Sequence, residues 1–149
     1  MRIRAVRSAV ALLALTVAVG ACSDGASDEA IENTLERCES VPQATVDLIA
    51  TGLTIENGTL SNAAAVESDS GPTLWIVAAQ VNGDGFEGDQ YIGTWGVIDG
   101  IEVDEVTAMT GTDDFTKGIS SWGDESDMFT NLADGVNAAI ACVEVNQQG

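Results

Sequence analysis

The chain contains no histidine. That excludes every arrangement in which an imidazole activates a serine or cysteine, and it removes the commonest metal ligand. Positive charge is also scarce: five Lys and Arg stand against 24 Asp and Glu, a formal charge of −19. Such a surface excludes nucleic acid, whose phosphates need Lys and Arg, and it repels anionic lipid. Lys117 is the one lysine, and no SxxK pattern surrounds it, so a Ser-Lys nucleophile is excluded as well. There are three cysteines and no CxxC, which leaves no thiolate metal cluster. No apolar run approaches the roughly 20 residues that cross a bilayer. Carboxylates are plentiful, but pairs such as Asp113-Asp114 or Asp124 with Asp127 are too common here to single out an acid–base site. These absences point away from an enzyme.

What is present begins at the N-terminus. Arg2, Arg4 and Arg7 precede an apolar run of eleven residues, Ala9–Val19 (AVALLALTVAV), which ends in Val19-Gly20-Ala21-Cys22. Basic flank, short apolar core and small residues before a cysteine make an export signal. The order resembles the lipobox signal of bacterial lipoproteins, with Gly20 standing where Ala or Ser is more usual. The resemblance implies that residues 1–21 are a signal peptide and that Cys22 is lipidated and becomes the new N-terminus. It further implies a mature protein anchored on the outer face of the cytoplasmic membrane. An ordinary cleaved signal followed by a chance cysteine is the alternative. Residues 22–37 then form the lipidated cysteine and an acidic tether, in which Ser23–Glu29 (SDGASDE) has the composition of a flexible segment.

Beyond residue 21 the chain keeps only Arg37 and Lys117 against all 24 acidic residues, a formal charge of −22. An anchor must hold that charge against an anionic membrane, which two or more acyl chains can do and one cannot. With Cys22 assigned to lipid, Cys38 and Cys142 remain, an even pair in an exported chain. Their bond would close a loop of about 100 residues, worth roughly 4–5 kcal/mol in the chain-entropy model. Two separate buried thiols are the alternative.

The domain is expected over residues 38–145, with 146–149 a polar tail. Its centre is the stretch Thr73–Asp99. Leu74–Val81 (LWIVAAQV) is a continuous apolar run, the pattern of a strand buried on both faces, and Tyr91–Ile98 (YIGTWGVI) answers it. Thr59–Val66 is a weaker strand, and Ile101–Met109 reads as a fourth whose phase change asks for a bulge near Asp104-Glu105. Before the sheet, Ile31, Leu35 and Cys38 recur at helical spacing. Pro42 opens a second helix whose stripe is Val46, Ile49, Ala50 and Leu53, with Gly52 as stop. After the sheet, Phe115, Ile119 and Trp122 are core anchors. Asn131 caps a last helix with Leu132, Val136, Ala139, Ile140 and Val143 on one face. The fold class is α+β: a four-stranded antiparallel meander with N- and C-terminal helices on one face, tied by a disulfide. A small β-sandwich or barrel with peripheral helices is the runner-up.

The order AAAV, WIVAAQV, GTWGV and a C-terminal AAIACV resembles small exported proteins of actinobacteria. In that group V-A-A precedes a glycine-rich loop and G-x-W-A, with a cysteine at either end; Gly96 replaces the usual Ala here. The resemblance covers roughly residues 38–143. It implies an architecture and no active site.

One loop offers ligands. Asn82, Asp84, Glu87 and Asp89 lie within eight residues among three glycines, and calcium takes six to eight oxygens. The loop is not an EF-hand, because Phe86 and Gly93 stand at its fifth and twelfth positions; an ion-free acidic hairpin loop is the plainer reading. Trp75, Trp95, Trp122 and Tyr91 fit a core better than a binding platform, with Gly93 and Gly96 making room for the Trp95 indole. The expectation is a cell-surface lipoprotein acting as a non-enzymatic binding or accessory module, without nucleic acid. Its partner would be an extracytoplasmic protein or a small molecule. The alternative is a calcium-binding envelope protein using Asn82–Asp89.

Overall fold

Leu74–Asn82 forms a strand because seven of its nine residues are apolar and rich in strand formers, so they can be buried without leaving a polar side chain stranded. In the computed structural model, which describes residues 35–71, 73–88, 90–123 and 133–148, this strand is the middle of a five-stranded sheet. The elements in order are β1 (Glu39–Ser40), α1 (Gln43–Ala50), β2 (Thr59–Glu67), β3 (Leu74–Asn82), β4 (Ile92–Ile98), β5 (Ala108–Gly111), α2 (Asp114–Ile119) and α3 (Ala133–Gln147). The strands run β1-β2-β3-β4-β5, each antiparallel to the next, so the sheet is a meander.

Four strands are expected and five are found. The added one, β1, is two exposed polar residues that carry no hydrophobic period; it exists through its pairing with Ala64 and Ala65. The last strand is also shorter than expected. Ile101–Thr107 makes a turn, in which the Glu102 carbonyl accepts from the amides of Glu105 and Val106, and pairing resumes only at Ala108. That turn accounts for the phase change along this segment, and no bulge is needed there.

A bulge occurs instead in β2. Ser61 pairs with Gln80 and Ala64 with Ala78, so Asn62 and Ala63 together oppose one residue of β3. Asn62 takes φ 51°, a left-handed conformation that Asn tolerates. The extra residue flips the alternation. Leu60 therefore packs on one face of the sheet, while Ala64 and Val66 pack on the other.

Both faces of β3 are covered. Ile76 and Ala78 meet Ala138, Ala139, Cys142 and Val143 of α3. Val77, Ala79 and Val81 meet Ile49 of α1, Trp95, Val97, Met109 and Ile119. All five of these β3 side chains are fully buried, each worth about 0.8–3 kcal/mol in apolar area removed from water. The expectation that the terminal helices share one face is thus corrected: α1 and α3 lie on opposite faces. The continuous apolar run of β3 demands this, since a strand without a polar side cannot leave one face to water. Small residues bring α3 close. A methyl group at Gly135 would come 3.0 Å from Ile76 Cγ1. No helix among the described residues is long and apolar enough to cross a membrane.

Candidate functional site

The loop between β3 and β4 does not gather its oxygens around a common point among the described residues. Asp84 Oδ1 accepts from Asn57 Nδ2 at 3.2 Å, and the Asp84 amide donates to the Glu56 carbonyl at 3.0 Å. The loop is thereby fastened to the Asn57-Gly58 turn. Asn82 Nδ2 donates to Ser61 Oγ across the β2–β3 ladder at 3.1 Å, and Glu87 is exposed. Asp89 lies outside the described residues. Among those residues no three carboxylate or thiol side chains come together as a metal site. Calcium needs six to eight oxygens, and one of the two Asp84 carboxylate oxygens is already engaged by Asn57.

Phe86, by contrast, has a structural task. Its ring meets Tyr91 edge-on at 5.2 Å and Phe115 at 5.9 Å, and Tyr91 stacks with Phe115 at 6.3 Å. The three rings come from a loop, the start of β4 and α2, and they extend the core on the α1 face. The tryptophans build no platform. Trp95 is fully buried, and its ring fills the space that a Cβ at Gly93 would need. Trp122 lies against Gly52 and donates from Nε1 to the Ile49 carbonyl at 2.8 Å.

Asp113 is likewise structural. It is the N-cap of α2, where Oδ1 accepts from the Thr116 amide at 2.7 Å. Its Oδ2 accepts from Thr94 Oγ1 at 2.5 Å and from Thr116 Oγ1 at 3.1 Å. Both oxygens are committed, so the Asp113-Asp114 pair is a cap beside an exposed carboxylate.

Cys38 and Cys142 are joined, with Cα atoms 5.7 Å apart, across a separation of 104 residues. The pairing inferred from cysteine arithmetic is present, and two separate thiols are not. The bond ties the segment before β1 to the buried face of α3. Cys22 and Asn131 lie outside the described residues.

Beside the disulfide is a feature that the sequence does not announce. An open cleft of about 660 Å³ is lined by Arg37, Glu39, Glu67, Ser68, Asp69 and Ser70. Arg37 Nη2 donates to the Glu67 carbonyl at 2.9 Å and lies 3.5 Å from Asp69 Oδ2. Its Nε and Nη1 donors have no partner among the described residues. The turn that forms the opposite wall is braced internally. The Ser68 hydroxyl accepts from the Ser70 amide at 3.2 Å, and the Ser68 amide donates to the Leu74 carbonyl at 2.8 Å. A second, smaller cleft of about 400 Å³ lies between the start of β4 and the end of α3, lined by Gln90, Ile92 and Glu144 among others.

No protein-family model, no curated protein and no solved structure matches this chain.

Proposed function

We propose that the protein is a lipid-anchored module of the cell envelope. It is held by Cys22 on the outer face of the cytoplasmic membrane and binds an extracytoplasmic protein or small molecule without catalysing a reaction. The observation that carries this reading is the Cys38–Cys142 bond. A disulfide that fastens the two ends of a domain belongs to an oxidising compartment. It fits a chain that opens with three arginines, a short apolar run and a cysteine preceded by small residues. The non-enzymatic part rests on chemistry. There is no imidazole to act as base, the two domain cysteines are spent on each other, and Asp113 is spent on a helix cap.

Expression of the wild-type chain and Cys22→Ser in a bacterial host, followed by fractionation, tests the anchor. The wild type is expected in the membrane fraction with a mass increment for acyl chains. Cys22→Ser is expected in the medium or as the uncleaved precursor. A Cys22→Ser protein that stays membrane-bound at the processed mass overturns the reading.

A further inference from the structure

We propose that Asn57 is a site of spontaneous covalent modification. Its side-chain amide is lost to attack by the Gly58 backbone nitrogen, and the acidic residue left behind releases the loop between β3 and β4.

The chain holds two Asn-Gly dipeptides, Asn57-Gly58 and Asn82-Gly83. In this dipeptide no Cβ on the second residue obstructs its amide nitrogen, and the glycine backbone turns freely enough to bring that nitrogen onto the Asn Cγ. The fold separates the two. Asn57 is exposed in a turn, at φ 54°. The Gly58 amide donates to the Ile55 carbonyl at 3.3 Å, and Asn57 Nδ2 donates to Asp84 Oδ1 at 3.2 Å. Both are long for an N–H···O bond, so little holds the two reacting groups apart. Asn82 is half-buried at the end of β3, paired with Thr59 in the sheet and tied through Nδ2 to Ser61 Oγ at 3.1 Å. A methyl group at Gly83 would come 3.0 Å from Ile55 Cδ1 and 3.2 Å from Gly58 Cα, so the Gly83 backbone is wedged against the neighbouring turn. Packing also keeps the hazard at Asn57 in place. A Cβ at Gly58 would come 2.8 Å from Ile55 Cγ1, so the fold demands glycine where glycine leaves Asn57 open to attack.

The chemistry needs only water. The Gly58 nitrogen loses its proton to solvent base and bonds to Asn57 Cγ. The Cγ–Nδ2 bond breaks, and ammonia departs with a proton from water. Water then opens the cyclic imide. Attack at Cγ leaves aspartate, and attack at the residue-57 backbone carbonyl leaves isoaspartate, with the chain running through Cγ. Nothing is oxidised or reduced; water is consumed and ammonia released. Either product loses the amide donor and gains a carboxylate beside Asp84, turning an attraction into a repulsion between like charges. Among the described residues, the bond from the Asp84 amide to the Glu56 carbonyl then remains as the loop's hydrogen-bonded tie to the turn. The loop carries Phe86, whose ring packs on Tyr91 and Phe115, so its release loosens that cluster.

Incubation of the full chain in neutral detergent at mildly alkaline pH, followed by peptide mapping at acidic pH, tests the assignment. Asn57 is expected to exchange NH2 for OH at least ten-fold faster than Asn82 in the native protein, and at a similar rate to Asn82 in urea. Asn57→Asp stands in for the aspartate product. Chymotrypsin should cut this variant after Phe86 at least five-fold faster than wild type. Asp84→Asn in the same chain should restore the wild-type rate, because donor and acceptor are then exchanged across the same contact. An Asn57 that reacts only in urea, or an Asn82 that reacts as fast as Asn57 in the native protein, overturns the proposal. So does an Asn57→Asp protein that is cut no faster than wild type, or one that Asp84→Asn fails to restore.

Discussion

Trp122 lies against Gly52 so closely that a methyl group at Gly52 would overlap the indole, and the indole N–H caps the Ile49 carbonyl at the end of α1. The contact is reinforced on either side. The Ser121 amide donates to the Gly52 carbonyl at 2.7 Å, and the Thr54 amide donates to Ile119 at 2.8 Å. The segment after α2 is thereby stitched to the end of α1, closing one flank of the core. The helix ends at Ala50, near the Gly52 expected to stop it, but Gly52 lacks the positive φ of a glycine stop; what it does is leave room for an aromatic ring 70 residues away.

Gly52→Ala should therefore destabilise the protein, although the Gly52 backbone lacks the positive φ that would itself disfavour a side chain. Overpacking of this kind costs about 1–3 kcal/mol. Trp122→Phe should cost less, about 1 kcal/mol for the lost hydrogen bond to a half-buried carbonyl. Urea unfolding followed by far-ultraviolet circular dichroism measures both. A Gly52→Ala protein as stable as wild type would show that the indole moves aside freely.

The bulge in β2 gives a second prediction. Asn62 holds a left-handed conformation and donates from Nδ2 to Gln80 Oε1 at 2.8 Å. Asn62→Val should lose about 1–2 kcal/mol, since a β-branched residue is strained at positive φ. Asn62→Gly should change stability by only a few tenths of a kcal/mol, trading the hydrogen bond for an unstrained backbone. Equal losses from the two substitutions would argue that the side chain, and not the backbone, sets the bulge.

These particulars mark where the sequence can be read and where it cannot. β3 and β4 are legible because apolar and β-branched residues fill them between Gly and Asp clusters, and the disulfide is legible because only two of the three cysteines, Cys38 and Cys142, fall within the expected domain. The bulge is hidden because Ala63, Ala64 and Ala65 are too alike to show which face each takes. β1 is hidden because Glu39 and Ser40 have no period at all. Gly52 with Trp122, the aromatic trio, and Arg37 with the Ser68–Ser70 turn are assembled from distant segments, and local pattern carries no record of tertiary contact. The loop at Asn82 misleads in the opposite direction: its oxygens are close in sequence, yet Asp84 turns to Asn57.

Breaking the crosslink should cost far more than either substitution above. A loop of 104 residues corresponds to about 4.7 kcal/mol in the chain-entropy model. For a domain of this size that converts to a fall of roughly 20 °C in thermal midpoint. Intact mass should rise by two hydrogens on reduction, and the paired substitution Cys38→Ser with Cys142→Ser should match the reduced protein. A reduced protein that melts within a few degrees of the oxidised one would mean that packing of α3 alone holds the two ends together.

The acidity makes the last prediction. Carboxylates outnumber cations by 24 to five in the whole chain, and self-repulsion on that scale opposes the compact state. Salt shortens the range of repulsion, from about 10 Å at 0.1 M to about 3 Å at 1 M. The thermal midpoint should therefore climb steadily with sodium chloride. A calcium site at Asn82, Asp84, Glu87 and Asp89 would behave differently. It would raise the midpoint at micromolar to millimolar calcium, with magnesium much weaker, because a ligand that binds only the folded state stabilises it by mass action. Melting at matched ionic strength in sodium, magnesium and calcium chlorides separates the two. Since no three carboxylates converge among the described residues, salt is expected to account for most of the rise, and calcium to add little. A shift of several degrees in low calcium that is abolished by Asp84→Asn with Asp89→Asn would reverse that ranking and make the loop an ion site.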